Sequence, residues 1–215
     1  MVYLCETYGD NCKVLVFWKE KLVLLAVPKT GTTAIETALA PSADVAILNP
    51  PGLKHTTLHK FDRFMQPYLS STGEDDLETA AVVRNPLEWL GSWYRYRARP
   101  YLDGKPNSTK DITFDQFVLE VLKDDKAPYA RIGTQRTFLT GRDGRVGADH
   151  MFQFEELSRY VAFLEKRLTR RIDLRRQNVS PEMEIPLSPE VSEKLKHEWA
   201  AEFDLWRSAS QASET

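Results

Sequence analysis

The chain has 215 residues, 42% hydrophobic and 28% charged, which suits one soluble domain over 1–215 and excludes a disordered, collagenous or disulfide-rich chain. Its 29 basic and 31 acidic residues give a formal charge of −2, which argues against a nucleic-acid partner while leaving a local basic site open. The longest aliphatic run, Leu22 to Val27, is too short for a membrane span, and Met1 to Asp10 lacks the basic start and apolar run of an export signal, so a cytoplasmic protein is expected.

Cys5 and Cys12 are expected to be reduced, and no metal-ligand spacing surrounds them, so no metal site is expected. Lys13 to Phe17 and Leu22 to Val27 are β-prone runs split by the charged turn Trp18-Lys19-Glu20-Lys21. They predict a hairpin or two neighbouring strands. The second run is apolar at every position, the pattern of a strand buried on both faces. Pro28 stops it. A helix is expected from Thr32, with Ala34, Ile35, Ala38 and Leu39 on one face, ending before Pro41. Asp44 to Leu48 reads as a strand, Asn49-Pro50-Pro51-Gly52 as a turn, and His55 to Leu69 as partly helical.

Thr79 to Val83 is a further buried strand, with Asn85 as N-cap and Pro86 as first residue of a helix running towards Arg99. Pro100 to Lys110 reads as a loop. Thr113 caps a helix with Phe114, Phe117, Val118, Val121 and Leu122 inward. Gly141 to Gly147 is a turn region and Met151 to Phe154 a short strand. Leu157, Tyr160, Val161, Leu164 and Leu168 form a helical stripe. Ser188-Pro189 opens one last helix carrying Val191, Leu195, Trp199, Phe203 and Trp206, followed by a frayed tail over 208–215. Alternating strands and helices predict a three-layer α/β/α domain around a central, mainly parallel sheet.

Two strand-to-helix turns carry the chemistry. In Pro28-Lys29-Thr30-Gly31-Thr32-Thr33, Gly31 lets the backbone approach an anion, Lys29 adds a point charge, and Thr30, Thr32 and Thr33 add hydroxyl donors. Lys29 precedes Gly31, unlike the GxxxxGK[ST] pattern of nucleoside triphosphatases, and no GxGxxG fingerprint is present. In the second turn, Arg84-Asn85-Pro86, the planar fork of Arg84 suits a second phosphate, and Ser92 lies about two helical turns on.

Together these segments resemble the sulfotransferases that use 3′-phosphoadenosine 5′-phosphosulfate (PAPS), with a flavour of the glycan 2-O-sulfotransferases and bacterial members. Pro28 to Thr33 is similar to the family's 5′-phosphosulfate loop, and Arg84-Asn85-Pro86 with Ser92 to its 3′-phosphate site. Phe154-Glu155-Glu156-Leu157, Asn178-Val179-Ser180 and Trp199 to Trp206 resemble later parts of the family. The resemblance implies a P-loop-NTPase-like sulfotransferase fold and in-line sulfuryl transfer to a hydroxyl or amine. The product would be 3′-phosphoadenosine 5′-phosphate. Lys29 would neutralise the leaving phosphate, and Lys29, Thr30, Gly31, Thr32, Thr33, Arg84 and Ser92 would hold the nucleotide, without a metal. The acceptor would be a small molecule or a saccharide.

The stretch Lys54 to Phe61 resembles the one carrying the catalytic histidine of uronosyl 2-O-sulfotransferases, and the match falls on His55 as general base, with His59 in reserve. If the stretch is helical, the two share a face. Leu53 stands where some members carry another histidine. Glu36 and Glu88 are the carboxylate alternatives, since many members use a Glu base. His150 and His197 are read as structural or solvated. Gln135 and Arg136 are a lower-ranked pair, and Arg95, Arg97, Arg99, Arg131, Arg136, Arg142 and Arg145 are read as solvated charge for the most part, with lining an acidic acceptor site or holding the nucleotide phosphate as the alternatives. Two other readings stand beside the enzyme: a kinase with a modified loop, and a nucleotide-binding module without turnover.

Overall fold

The computed structural model describes residues 14–47, 53, 55–71, 73, 77–173 and 185–211. Cys5, Cys12, the turn at 49–52 and the Asn178-Val179-Ser180 step lie outside them. Five strands form one sheet: β1 (Val14–Phe17), β2 (Leu22–Leu25), β3 (Val45–Ile47), β4 (Glu78–Val83) and β5 (His150–Gln153), in the order β3-β1-β2-β4-β5. β1 pairs antiparallel with both β2 and β3, whereas β4 pairs parallel with β2 and with β5. The sheet is therefore mixed, not mainly parallel in its pairing. The cause is local: the four-residue turn after β1, closed by the Lys21 amide on the Trp18 carbonyl with Lys21 at φ 53°, is too short for a crossover. β2, β3, β4 and β5 still share one direction.

Strand side chains alternate between two apolar clusters. Val16, Val23, Ala81 and Met151 meet Leu58, Phe61, Phe138 and Leu205 on one face. Leu15, Leu24, Val82 and Phe152 meet Ile35, Leu39, Tyr160 and Leu164 on the other. β2 is buried at all four positions, as its unbroken apolar run predicts. The helices of the second face are α1 (Thr33–Leu39) and α7 (Leu157–Arg167).

On the first face lie α2 (Leu58–Lys60), a π-helical turn (Phe61–Met65) and α3 (Gln66–Ser70), with Thr57 capping α2 by accepting the Lys60 amide. α4 (Pro86–Arg97) starts where Asn85-Pro86 predicts, with the Asn85 side chain accepting the Leu87 amide at 3.0 Å. α5 (Phe114–Val121) opens on a Thr113–Gln116 capping box. α6 (Gln135–Phe138) is a single turn.

The expected last helix is two: α8 (Pro189–Glu198) and α9 (Ala200–Gln211). Val191, Leu195 and Trp199 belong to a third cluster with Trp89 and Phe117, while Leu205 and Ala209 pack on the sheet, so the chain turns at Trp199 to serve both. The frayed tail is corrected for the same reason: Ser208–Gln211 is helical, and Ala209 is buried in the core. Among the described residues no helix is long and apolar enough to cross a membrane.

At the start of β4 the Glu78 carboxylate takes a hydrogen bond from His150, 3.1 Å away, and an ion pair from Arg167. The His150 bond first, then the Arg167 bond and charge, outweigh desolvation and hold its pKa below the ordinary 4.5. A depressed carboxylate contributes stability above its unfolded pKa and loses it as pH falls through the folded value. Glu78→Gln should therefore lower Tm at neutral pH by no more than about 3 °C, since the group is half-exposed. The difference from the unmodified protein should close as the pH falls below the carboxylate range, which thermal melts across pH will check.

Candidate functional site

Strand direction fixes where a site can form. β2 leads through α1 to β3 on one side, whereas β4 leads towards β5 on the other. The crevice beyond the carboxyl ends of β2 and β4 is thus a topological switch point, the usual ligand position in open α/β sheets. The Lys29 loop leaves β2 there, and the Arg84 turn leaves β4 there.

One ring joins them. Phe154, in the 3-10 turn Phe154–Glu156 after β5, packs on Gly31 so closely that a Cβ on Gly31 would lie 2.3 Å from a ring carbon. The Arg84 guanidinium lies over the same ring, 4.4 Å from its centroid. The Trp89 indole of α4 donates to the Pro28 carbonyl at 2.7 Å, fixing the start of the Lys29 loop.

Within the loop, Lys29 at φ 67° and Gly31 at φ 70° both adopt left-handed backbone, which costs a non-glycine residue about 1–2 kcal/mol. The Lys29 ammonium rests over Tyr96, 3.6 Å from the ring centroid, with Trp93 at 5.5 Å. Two of the expected hydroxyl donors turn inward. Thr30 Oγ1 donates to the Val27 carbonyl at 2.8 Å, and Thr32 Oγ1 donates to the buried Glu36 carboxylate. Both hydroxyls brace the loop. Thr33 opens α1, half-buried.

Arg84 is 15% exposed at its side chain. Its Nε is buried with no hydrogen-bond partner among the described residues, and burial lowers its pKa from the usual arginine value. Glu88 Oε2 stands 3.4 Å from one terminal nitrogen. The main chain of Arg84 is held at both ends by Gln135, which accepts the Arg84 N–H at 2.8 Å and donates to its C=O at 2.7 Å. Ser92 is buried on α4, and no hydrogen bond joins it to Arg84.

His55 precedes α2, so it does not share a helical face with His59, which is exposed. Its Nδ1 lies 3.2 Å from the Ala26 carbonyl, at the end of β2 and three residues before Lys29. A carbonyl only accepts, so Nδ1 carries the proton in this bond. Glu36 is committed to Thr32, Glu88 is exposed beside Arg84, and His197 is solvated. Arg97 donates to the Pro128 and Arg131 carbonyls, and Arg145 pairs with Asp143. Trp89 is core, whereas Trp93 and Tyr96 line the Lys29 side of α4, and Tyr101, in the 3-10 turn Pro100–Leu102, packs its ring edge-on against Tyr96.

The sequence reading missed Glu36 as a loop brace, although its i, i+4 spacing from Thr32 is a usable signal. A separate cavity of about 660 Å³ lies at the other end of the strands, between Asp62, Thr79, Arg142, Asp143, Asp149 and Met151. Comparison of the chain with protein-family models, with curated proteins and with solved structures finds no match.

Gly31→Ala adds the Phe154 clash to the backbone strain and should cost about 3 kcal/mol, a Tm drop of roughly 6–12 °C. Gly104, at φ 70° with open space around its missing Cβ, is the control. Gly104→Ala should cost only the backbone share, about 1 kcal/mol, and equal losses in thermal melts would dismiss the Phe154 contact.

Proposed function

We propose that this chain is a PAPS-dependent sulfotransferase with a three-layer α/β/α, P-loop-like fold, acting in the cytoplasm on a hydroxyl or amine of a small molecule or saccharide. The observation that carries the reading is the meeting of the Lys29 loop and Arg84 on the Phe154 ring, at the carboxyl ends of β2 and β4. The residues fit such a donor: a buried Arg84 Nε without a partner among the described residues is a donor in want of an acceptor, as a phosphate oxygen provides.

Lys29 and the backbone of Thr30 to Thr33 would hold the 5′ side of the nucleotide, and Arg84 with Ser92 the 3′-phosphate. PAPS supplies the sulfuryl group and a phosphate leaving group. Lys29, on a flexible stem, would exchange the Tyr96 face for a phosphate oxygen and neutralise the charge that grows there. His55 Nε2 would take the acceptor's proton while Nδ1–H stays anchored on Ala26. The inward hydroxyls of Thr30 and Thr32 move the burden of phosphate binding onto Lys29 and the backbone.

Calorimetric titration tests the donor site. 3′-Phosphoadenosine 5′-phosphate should bind, and removing its 3′-phosphate or making Arg84→Ala should weaken binding by about 10–150-fold, the worth of a charge-assisted hydrogen bond. A preference for ATP-magnesium would sink the reading in favour of a kinase. With an acceptor in hand, His55→Ala should leave nucleotide binding intact and cut turnover by about 10²–10⁴-fold. Unchanged turnover removes His55 as the base, and nucleotide binding without turnover by the unmodified chain across an acceptor panel favours the binding module.

A further inference from the structure

Two chains of hydrogen bonds run from α9 to the Arg84 turn. In the first, the Trp206 indole N–H donates to Glu155 Oε2 at 2.9 Å, and Glu155 Oε1 accepts the Asn85 N–H at 2.9 Å. In the second, the Glu202 carboxylate accepts the Arg136 N–H at 3.1 and 3.3 Å. Arg136 adjoins Gln135, whose side-chain amide brackets the Arg84 main chain. Gln153, at the end of β5, donates to the Trp206 carbonyl at 2.8 Å and anchors the same helix.

Both chains end on backbone atoms of Arg84 and Asn85, so they set where the guanidinium is rooted rather than its chemistry. The turn needs such support. It carries a largely buried cation whose Nε has no partner among the described residues, and the ladder between β4 and β5 ends at Val83, one residue before it. Gln135 is 1% exposed and Glu202 5%, so neither is a loose surface contact. A donor that wanders from its position loses specificity steeply.

We propose that α9 is the positioning element of the Arg84 turn: Trp206 through Glu155, and Glu202 through α6 and Gln135, hold Arg84 where it discriminates a nucleotide bearing a 3′-phosphate from one without it. The discrimination rests on the nucleotide reading above. The bracing itself does not. Trp206, Glu155, Gln135 and Glu202 are positioning residues, and α9 is a functional part of a site whose cations, Lys29 and Arg84, come far earlier in the sequence.

Trp206→Phe keeps an aromatic ring and removes the donor; Gln135→Met keeps the length and removes both bonds to Arg84. Amide hydrogen exchange in the free protein reads the bracing. Asn85 in Trp206→Phe and Arg84 in Gln135→Met should exchange about 10-fold faster, with the Glu36 amide of α1 unchanged. Unchanged rates, or a uniform rise at all three amides, overturn the proposal. Calorimetry then reads the consequence. Trp206→Phe should weaken 3′-phosphoadenosine 5′-phosphate by roughly 5–20-fold and leave adenosine 5′-phosphate unaffected. Equal weakening of both nucleotides overturns the proposal and leaves a structural helix. Faster exchange in a chain whose unmodified form binds neither nucleotide overturns the donor-site reading, and with it the discrimination, while the bracing stands.

Discussion

The Phe154 ring is the wedge on which two polar loops close. On one side it meets Gly31, where no Cβ has room; on the other it carries the Arg84 guanidinium on its face. Each contact constrains the next. The ring's position requires glycine at the apex of the β2 loop, and the left-handed conformation there suits glycine as well. The loop so placed sends Lys29 towards α4, where Tyr96 and Trp93 receive its ammonium. Removing water from the guanidinium is unfavourable, and the ring face and the exposed Glu88 return only part of that loss. The pocket is therefore held together by packing and main-chain hydrogen bonds, with the cation imposed upon it.

This division separates what the sequence makes legible from what it does not. Local rules were enough for Asn85-Pro86 as a helix start, the Thr113–Gln116 box and the twice-buried β2, because cap, proline and apolar run act within a few residues. The turn at Trp18 to Lys21 allowed a hairpin, yet its antiparallel strand did not displace the expectation of a mainly parallel sheet. That expectation came from the alternation of later elements, which says nothing of β1. The break at Trp199 was hidden because the apolar spacing runs on through it; only the existence of two separate cores demands a turn.

The site shows the same limit more sharply. Lys29, Gly31 and Arg84 were singled out by residue type and by position after a buried strand, and the fold brings them to one crevice. Hydroxyl direction could not be read in that way. Thr30 and Thr32 look alike as donors in a sequence, but the carbonyl of Val27 and the carboxylate of Glu36 claim them. Gln135 drew attention only as part of a loosely matching step, since its partner lies 51 residues away. Long-range clamps leave no periodic trace, whereas strand and helix faces do.

Satisfaction of polar groups also discriminates between the two ends of the sheet. At the far end, the carboxylates lining the 660 Å³ cavity already have protein partners: Asp149 accepts from the Thr79 amide and hydroxyl, Asp62 from the Arg142 amide, and Asp143 from Arg145. They tie the Gly141 to Gly147 turn to the Phe61–Met65 turn, close that turn on itself, and join the approach to β5 to the start of β4. At the near end the balance runs the other way, with Arg84 Nε and Trp93 Nε1 buried and without partners among the described residues. The unmet donors therefore set apart the end where β2 and β4 part as the one suited to an anion.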